Sequence, residues 1–196
     1  MAAWDGVLAG LDAALRDEAD QRGPVVAAGS LPAGLSCYAY AEVVSAAHRH
    51  GRLCLVDAAG AAPLAAVEAG ADVVKPNQAE LAEATGADDP WEGARDLCRR
   101  GAGRVVVSRG PDGVVTVTPD GEAYAVRLRK PLSGNATGAG DAAAGAIVAG
   151  LSTGRPWAEI EREAVGWSAA AVLAPVAGEL ALDHLAALRA DLVEES

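Results

Sequence analysis

Residues 135–141 read Asn-Ala-Thr-Gly-Ala-Gly-Asp and lead directly into an alanine-rich segment, residues 142–151. Glycines before an apolar segment predict a tight turn that opens a helix. The backbone N–H groups of this turn would point out of the helix N-terminus, where the helix dipole favours an anion such as phosphate. Asp141 would lie close enough to that anion to accept a proton from an attacking hydroxyl. The stretch predicts a phosphoryl-transfer site, although a glycine turn and a helix-starting Asp also occur without any catalytic role.

Composition limits the classes of protein to which the chain can belong. With 196 residues, of which 51% are hydrophobic, we expect residues 1–196 to form a single domain with a proper core. Lys and Arg number 16 against 27 Asp and Glu, and the net charge of −11 argues against nucleic-acid and anionic-membrane partners. Cys37, Cys54 and Cys98 are widely spaced, which argues against a disulfide framework or a zinc site. Without a membrane-length apolar run or a secretory leader, the sequence predicts a cytoplasmic protein.

Strand patterns alternate with helical patterns along most of the chain. Short apolar runs predict strands at residues 25–28, 53–56, 73–75 and 104–108, and an antiparallel hairpin at 114–118 and 122–127. Apolar residues at helical spacing predict helices at residues 4–15, 38–50, 63–69, 78–85, from Asp89-Pro90 onward, 156–173 and 182–192. This alternation predicts a parallel sheet with helices on both faces.

Four polar or glycine-rich segments follow predicted strands or open a predicted helix. Ligands of parallel α/β sheets bind outside the carboxyl ends of the strands, so these segments are expected to meet at one rim. They are residues 29–34, 75–80, 108–113 and 137–141. The sequence has neither a P-loop nor a dinucleotide-binding glycine motif. His48, His50 and His184 are expected at the surface rather than in a metal site.

The same four segments carry a family resemblance. Residues 29–34 (Gly-Ser-Leu-Pro-Ala-Gly), 74–81 (Val-Lys-Pro-Asn-Gln-Ala-Glu-Leu), 107–113 (Val-Ser-Arg-Gly-Pro-Asp-Gly) and 137–141 (Thr-Gly-Ala-Gly-Asp) resemble, in order and spacing, the phosphofructokinase B branch of ribokinase-like sugar kinases. The likeness is greatest to its 1-phosphofructokinase and tagatose-6-phosphate kinase group. It implies a three-layer α/β/α fold around a mainly parallel sheet, and transfer of phosphate from ATP, with Mg²⁺, to a sugar or sugar phosphate.

The resemblance also implies a role for individual residues. Asp141 would be the general base, and Gly138, Ala139 and Gly140 would form the anion hole for the transferred phosphoryl group. Nucleotide binding would fall to Lys75, Asn77, Ser108, Gly110, Gly113 and Asn135, with residues 133–135 and 168–175 flanking adenine. Glu80 and Asn77 would serve Mg²⁺, Glu80 through water. Ser30 would either contact the phosphate of the substrate or stabilise its own turn.

One part of the family pattern is not found in these 196 residues. Full-length relatives begin with an N-terminal segment that supplies the first strands of the sheet and a lid over the sugar. We therefore expect an N-terminally truncated fold without a lid, whose uncovered sheet edge favours self-association or a homo-oligomer. The alternative to an active kinase is a non-catalytic nucleotide-binding remnant, or half of a split enzyme.

Overall fold

The computed structural model describes residues 2–17 and 23–195, which form eight α-helices and seven strands. The helices are α1 (Ala2–Asp17), α2 (Ala39–Arg49), α3 (Ala62–Glu68), α4 (Gln78–Thr85), α5 (Pro90–Arg100), α6 (Ala139–Ser152), α7 (Trp157–Leu173) and α8 (Leu185–Ala190). The strands are β1 (Val25–Ala28), β2 (Cys54–Asp57), β3 (Val73–Val74), β4 (Val105–Ser108), β5 (Val114–Val117), β6 (Ala123–Leu128) and β7 (Leu192–Glu195).

All seven strands belong to one sheet, and their order in space is their order in the chain. Strands β1 to β4 are parallel, whereas β4 to β7 pair with antiparallel neighbours. The parallel strands are separated by helices, as crossover connections require, and the antiparallel strands β4, β5 and β6 follow one another through short turns. The predicted α/β fold is thus confirmed, with a sheet that is parallel in its first half and antiparallel in its second.

Each face of the sheet carries its own apolar core, which makes the molecule three layers thick. Alternate side chains of a strand point to opposite faces, so Cys54 and Val56 join one core while Leu55 joins the other. The first core is closed by helices α1 to α5 and the second by α6, α7 and α8. Four central strands, β2 to β5, have buried residues on both faces. This explains why they read as continuous apolar runs in the sequence.

The amphipathic helix predicted at the N-terminus is confirmed as α1. Its apolar residues Trp4, Leu8 and Leu11 pack against the first core. On its polar side, Asp12 accepts hydrogen bonds from Arg49 (3.1 Å) and His50 (3.1 Å) of the segment ending α2. These contacts attach α1 to α2.

The predicted helix at residues 182–192 is wrong at both ends. A 3₁₀ turn, Leu182–His184, precedes the short helix α8, and Leu192 begins β7 instead of ending a helix. Strand β7 pairs antiparallel with β6, matching Leu192 with Leu128 and Glu195 with Ala125. Tertiary pairing decides the structure here, because the local pattern Leu-Val-Glu-Glu has no strong preference for a strand. In the described part of the chain, no helix has the length and apolar character that crossing a membrane requires.

Candidate functional site

Three of the four predicted polar segments lie at the carboxyl ends of parallel strands, and backbone hydrogen bonds join these strand ends. The fourth, residues 137–141, follows β6 and opens α6. The N–H of Ser108, at the end of β4, donates to the carbonyl of Pro76 (3.0 Å), and Asn77 forms a parallel bridge with Ser108. On the other side, the N–H of Gly29 donates to the carbonyl of Asp57 at the end of β2 (2.9 Å). The segments after β1, β2, β3 and β4 therefore form one continuous rim.

The start of α4 is a capping box formed by Asn77 and Glu80. The Asn77 side-chain oxygen accepts from the Glu80 N–H (2.9 Å), and the Glu80 carboxylate accepts from the Asn77 N–H (2.8 Å). Two of the N–H groups that a helix start leaves without partners are satisfied in this way. Each side chain keeps a polar atom that these bonds do not use, the Asn77 amide nitrogen and the second Glu80 oxygen.

The start of α6 has the predicted glycine turn. Gly138 adopts the left-handed conformation (φ 85°, ψ −5°), which glycine tolerates best, and it supplies no side-chain cap. The Ala139 N–H already donates to the carbonyl of Ala136 (3.1 Å). Among the described residues, the N–H groups of Gly140 and Asp141 have no acceptor. These two donors at the positive end of the helix are the ones available to an anion.

Asp141 lies in the first turn of α6 and is exposed. The loop before it is held by Asn135, whose side-chain oxygen accepts from the Thr137 N–H (3.0 Å). The Asn135 N–H in turn donates to the carbonyl of Val172 near the end of α7 (3.2 Å). Asn135 thus attaches the glycine turn to α7 through its backbone. Its side-chain oxygen is already hydrogen-bonded to Thr137 within the loop.

Lys75 lies beneath the start of α6. It is only 3% exposed, and its Nζ forms an ion pair with Asp57 Oδ2 at 2.9 Å. The same Nζ is 3.6 Å from the point that a Cβ on Gly140 would occupy. Burial raises the pKa of Asp57, Lys75 lowers it in part, and the nearby charges of Glu80 and Asp141 raise it further. Asp57 is a site residue that the sequence analysis missed, although its position after a buried strand on the same rim was a usable signal.

The segment after β4 forms a compact turn. A 3₁₀ helix, Gly110–Asp112, is closed by a hydrogen bond from the Arg109 N–H to the carbonyl of Gly113 (2.8 Å). A Cβ on Gly113 would lie 2.1 Å from the carbonyl oxygen of Val126, so only glycine fits against β6 at this position. The turn is thereby fixed beside the rim.

A cleft of about 480 Å³ opens between this turn, the start of α6 and the second half of α7. Six residues predicted individually for the site line it, namely Asn77, Ser108, Gly110, Gly113, Ala139 and Gly140. The two segments predicted to flank adenine, residues 133–135 and 168–175, also contribute to the lining, through Gly134, Ser168, Ala169 and Val172. The rest of the wall is mostly apolar and comes from Val114, Leu128, Leu132, Ala143 and Val165, together with Pro111 and Ala136. A polar end with helix N–H groups and an apolar end suit a molecule that is anionic at one end and flat and apolar at the other.

The other individually predicted residues lie outside the lining of the cleft. Gly138 and Asp141 flank it at the start of α6, and Lys75 and Glu80 lie at the neighbouring strand-to-helix corner. Asn135 belongs to the loop before α6. Ser30 is exposed beyond the end of β1, at the far side of the rim.

The rim also carries a concentration of carboxylates. Burial raises the pKa of Asp57, and the negative charges of Glu80 and Asp141 add to this rise. In the described ranges, no three His, Cys, Asp or Glu side chains come together as a closed metal cage. An oxygen-rich, open arrangement of this type fits Mg²⁺, which keeps several waters and binds through one or two carboxylates together with phosphate.

Comparison with known proteins identifies the family to which the chain belongs. The pfkB family carbohydrate kinase profile matches residues 3–183. The 1-phosphofructokinase of Rhodobacter capsulatus is 37% identical over 153 residues, which are 76% of this chain and 48% of that protein. Phosphofructokinase-2 from Escherichia coli superimposes with a TM-score of 0.82 at 29% identity, covering 93% of this chain and 61% of that one. Its tetrameric inhibited form gives 0.75 at 28% identity, with 92% and 60% covered. The chain spans about half the length of the curated relatives it matches. It belongs to the pfkB family of carbohydrate kinases.

Proposed function

We propose that the protein transfers a phosphoryl group from ATP to a hydroxyl of a hexose or hexose phosphate. The observation that carries this proposal is the position of Asp141, in the first turn of α6, beside a half-apolar cleft whose polar end is lined by Gly140. The N–H groups of Gly140 and Asp141 have no acceptor among the described residues. A nucleotide with its base in the apolar part would present its phosphates to these donors. The names of the relatives, 1-phosphofructokinase and phosphofructokinase-2, support a phosphorylated hexose as acceptor.

In this proposal Asp141 is the general base. It would accept the proton of the attacking sugar hydroxyl, while the start of α6, residues 138–140, stabilises charge on the transferred phosphoryl group. Lys75 adds a positive charge beneath the same helix start, and Asn77, Ser108, Gly110 and Gly113 position the nucleotide. Asn135 acts indirectly, through the loop that it holds. Ser30, exposed across the rim, would contact the sugar phosphate.

Glu80 would hold Mg²⁺ through water, with Asn77 beside it, because the capping box leaves one oxygen of Glu80 free. When bound, Mg²⁺ neutralises charge on the nucleotide phosphates during transfer.

A second candidate function follows from the length of the match. Because the chain spans about half of its relatives, a nucleotide-binding half that needs a partner polypeptide for turnover is the alternative. In both cases we propose self-association through β1, whose outer edge has no strand partner among the described residues. The existence of a tetrameric form of phosphofructokinase-2 from Escherichia coli supports an oligomer.

Two measurements separate these functions. Calorimetric titration with Mg-ATP tests the cleft, and a coupled ADP assay with fructose 1-phosphate, fructose 6-phosphate and tagatose 6-phosphate tests turnover. We expect binding in both cases and turnover only if the chain alone, or its oligomer, completes the sugar site. Absence of both binding and turnover would overturn the proposal.

Asp141→Asn tests the mechanism in whichever assembly turns over. Asn keeps the shape of the side chain and loses its basicity, so turnover should fall by about 100-fold or more while the affinity for Mg-ATP stays within about twofold. Asp183→Asn, at an exposed position in the 3₁₀ turn, is the matched control and should change neither quantity. Near-normal turnover of Asp141→Asn at saturating substrates would remove Asp141 as the base.

A further inference from the structure

Strand β1 forms one edge of the sheet, and in the described part of the chain no strand pairs with its outer side. The N–H groups of Val25 and Gly29 donate to carbonyls on the side of β2. Backbone groups alternate in direction along a strand, so the N–H and C=O groups of Val26 and Ala28 point to the open side. The side chains of these two residues are also exposed. A row of open donors and acceptors of this type is a template for pairing with another strand.

Helix α1 lies beside the same edge. Helix α2 packs over β1 and β2, with α3 on one side and α1 on the other, so α1 is the outermost helix at this end of the first core. Its apolar residues reach that core, but they are only half-buried. Helix α1 therefore has a further side, beyond α2 and the core, that is left open.

This open side of α1 carries no charge. Four exposed residues share it at helical spacing, namely Ala3, Val7, Gly10 and Ala14. The charged residues of the helix are grouped around Asp12, which accepts hydrogen bonds from the segment ending α2 and therefore faces that helix. The open strand edge and the uncharged helix face thus form one continuous surface.

A second copy of this chain is the occupant that this surface favours. The protein has a net charge of −11, so two copies meet like charges over most of their surfaces, whereas neither β1 nor the open side of α1 carries a charged residue. A two-fold interface sets each patch against itself, so a neutral patch avoids contact between like charges. The opposite edge strand, β7, ends in Glu194 and Glu195 and would oppose its own charges.

We infer that β1 pairs antiparallel with β1 of a second copy, about a two-fold axis at Ala27, and that the open sides of the two α1 helices meet over this seam. In this register Val26 lies opposite Ala28 of the second copy, and each such pair exchanges two backbone hydrogen bonds. The candidate sites, at the carboxyl ends of the parallel strands, then lie at opposite ends of the joined sheet, and both clefts stay open. The inference rests on the self-association proposed above and gives its geometry.

Cysteine cross-linking of the full chain tests the register. The background variant Cys37→Ser removes the exposed native thiol and leaves the two buried ones. Val26→Cys and Ala28→Cys are made separately in this background. In a hydrogen-bonded antiparallel pair the Cα atoms are about 5.5 Å apart, which a disulfide can span. A mixture of the two variants should therefore form a disulfide-linked dimer on mild oxidation.

Each cysteine variant alone is the control for the mixture. In the inferred register, Val26 of one copy and Val26 of the other are diagonal neighbours about 7–8 Å apart, which is too far for a disulfide. The mixture should accordingly give at least about tenfold more linked dimer than either variant alone. Parallel pairing of the two β1 strands would instead bring each residue against its own counterpart and link each variant with itself.

Val7→Glu tests the part of α1 in the seam. Val7 is 55% exposed, and a carboxylate there would face its own copy, so the dissociation constant of the dimer should rise by about tenfold or more. Val176→Glu is the matched control, because Val176 is also 55% exposed but lies in the loop after α7. It should leave the dissociation constant within about twofold of the parent value. Sedimentation velocity over a range of concentrations measures both.

Three results would each overturn the inference: a monomer at every concentration, no more linked dimer in the mixture than in the single cysteine variants, or equal dissociation constants for Val7→Glu and Val176→Glu. Cross-linking needs no nucleotide. A failure of Mg-ATP binding would therefore overturn the proposed kinase function without affecting this test, and a failure of cross-linking would leave the nucleotide site untouched.

Discussion

The Nζ of Lys75 lies 2.9 Å from Oδ2 of Asp57, at the ends of two adjacent parallel strands and directly below the start of α6. Lys75 is absent from the lining of the cleft beside α6. Its charge instead lies 3.6 Å from the Cβ position of Gly140 and reinforces the positive end of the helix dipole. The ion pair connects the strand ends of the sheet to the helix that would hold the phosphates.

Variants that remove either Asp57 or Lys75 distinguish an effect on the stability of the fold from an effect on Mg-ATP binding. Asp57→Asn leaves a buried ammonium without its partner and should lower the free energy of unfolding by about 3–5 kcal/mol. Lys75→Met leaves Asp57, which can take up a proton, and should cost less stability but weaken Mg-ATP binding by about tenfold. The double variant Asp57→Asn/Lys75→Met should regain most of the stability and none of the affinity. Urea denaturation and calorimetry measure the two quantities.

If the double variant recovered Mg-ATP binding as well, the pair would be structural and Lys75 would have no role toward the nucleotide.

Local signals account for what the sequence predicted well. Asn77 and Glu80 stand three residues apart before an apolar run, and this spacing produces the capping box that the structure shows. The turn before α6 needs a residue in the left-handed conformation, and Gly138 provides it. The residues 137–141 were therefore sufficient to predict where the helix begins. In both cases the residues that determine the structure are neighbours in the chain.

Contacts between distant segments account for what the sequence did not predict. Asp57 and Lys75 pair because β2 and β3 are adjacent in the sheet, and no local pattern encodes that pairing. Strand β7 forms because β6 offers it an edge, and the apolar wall of the cleft combines Leu128 with Val165 from another element. These features depend on tertiary packing, which periodicity alone does not specify.

Gly134→Ala tests whether the loop before α6 must lie close to α7. A Cβ on Gly134 would be 2.2 Å from the carbonyl oxygen of Val172, so the loop has to move away and carry the glycine turn with it. We expect lower stability and at least about tenfold weaker Mg-ATP binding, because a small displacement of positioned groups is costly at such sites. Calorimetry and urea denaturation measure both effects. Gly10→Ala, in an open position on α1, should instead raise stability by about 0.5–1 kcal/mol. Normal Mg-ATP affinity of Gly134→Ala would show that the loop contact does not position the site.

Val26→Lys tests self-association through β1. Val26 is 43% exposed on a strand whose outer edge has no partner in residues 2–17 and 23–195, whereas the opposite edge strand, β7, ends in the charged residues Glu194 and Glu195. Charges on edge strands prevent pairing between molecules, so a lysine in β1 should shift the protein toward the monomer. Leu53→Lys is the control, since Leu53 is 44% exposed but lies before β2, away from the edge. Sedimentation velocity over a range of concentrations distinguishes them, and equal association of both variants would place the interface elsewhere.

The pH dependence of stability tests the environment of Glu161. Burial raises the pKa of Glu161 in the folded protein above its usual value of 4.5, so the folded state binds this proton more tightly than the unfolded chain does. The contribution of Glu161 to stability is then most favourable below pH 4.5 and declines as the pH rises toward the raised pKa, after which it is constant. Glu161→Gln has no proton to lose, so its stability relative to the parent protein should increase across that window. Urea denaturation at several pH values measures the difference, and Glu159→Gln, at an exposed position on the same helix, should show none of this increase. A difference between Glu161→Gln and the parent that stays flat or shrinks with rising pH would mean that the carboxyl is not held in an unfavourable site.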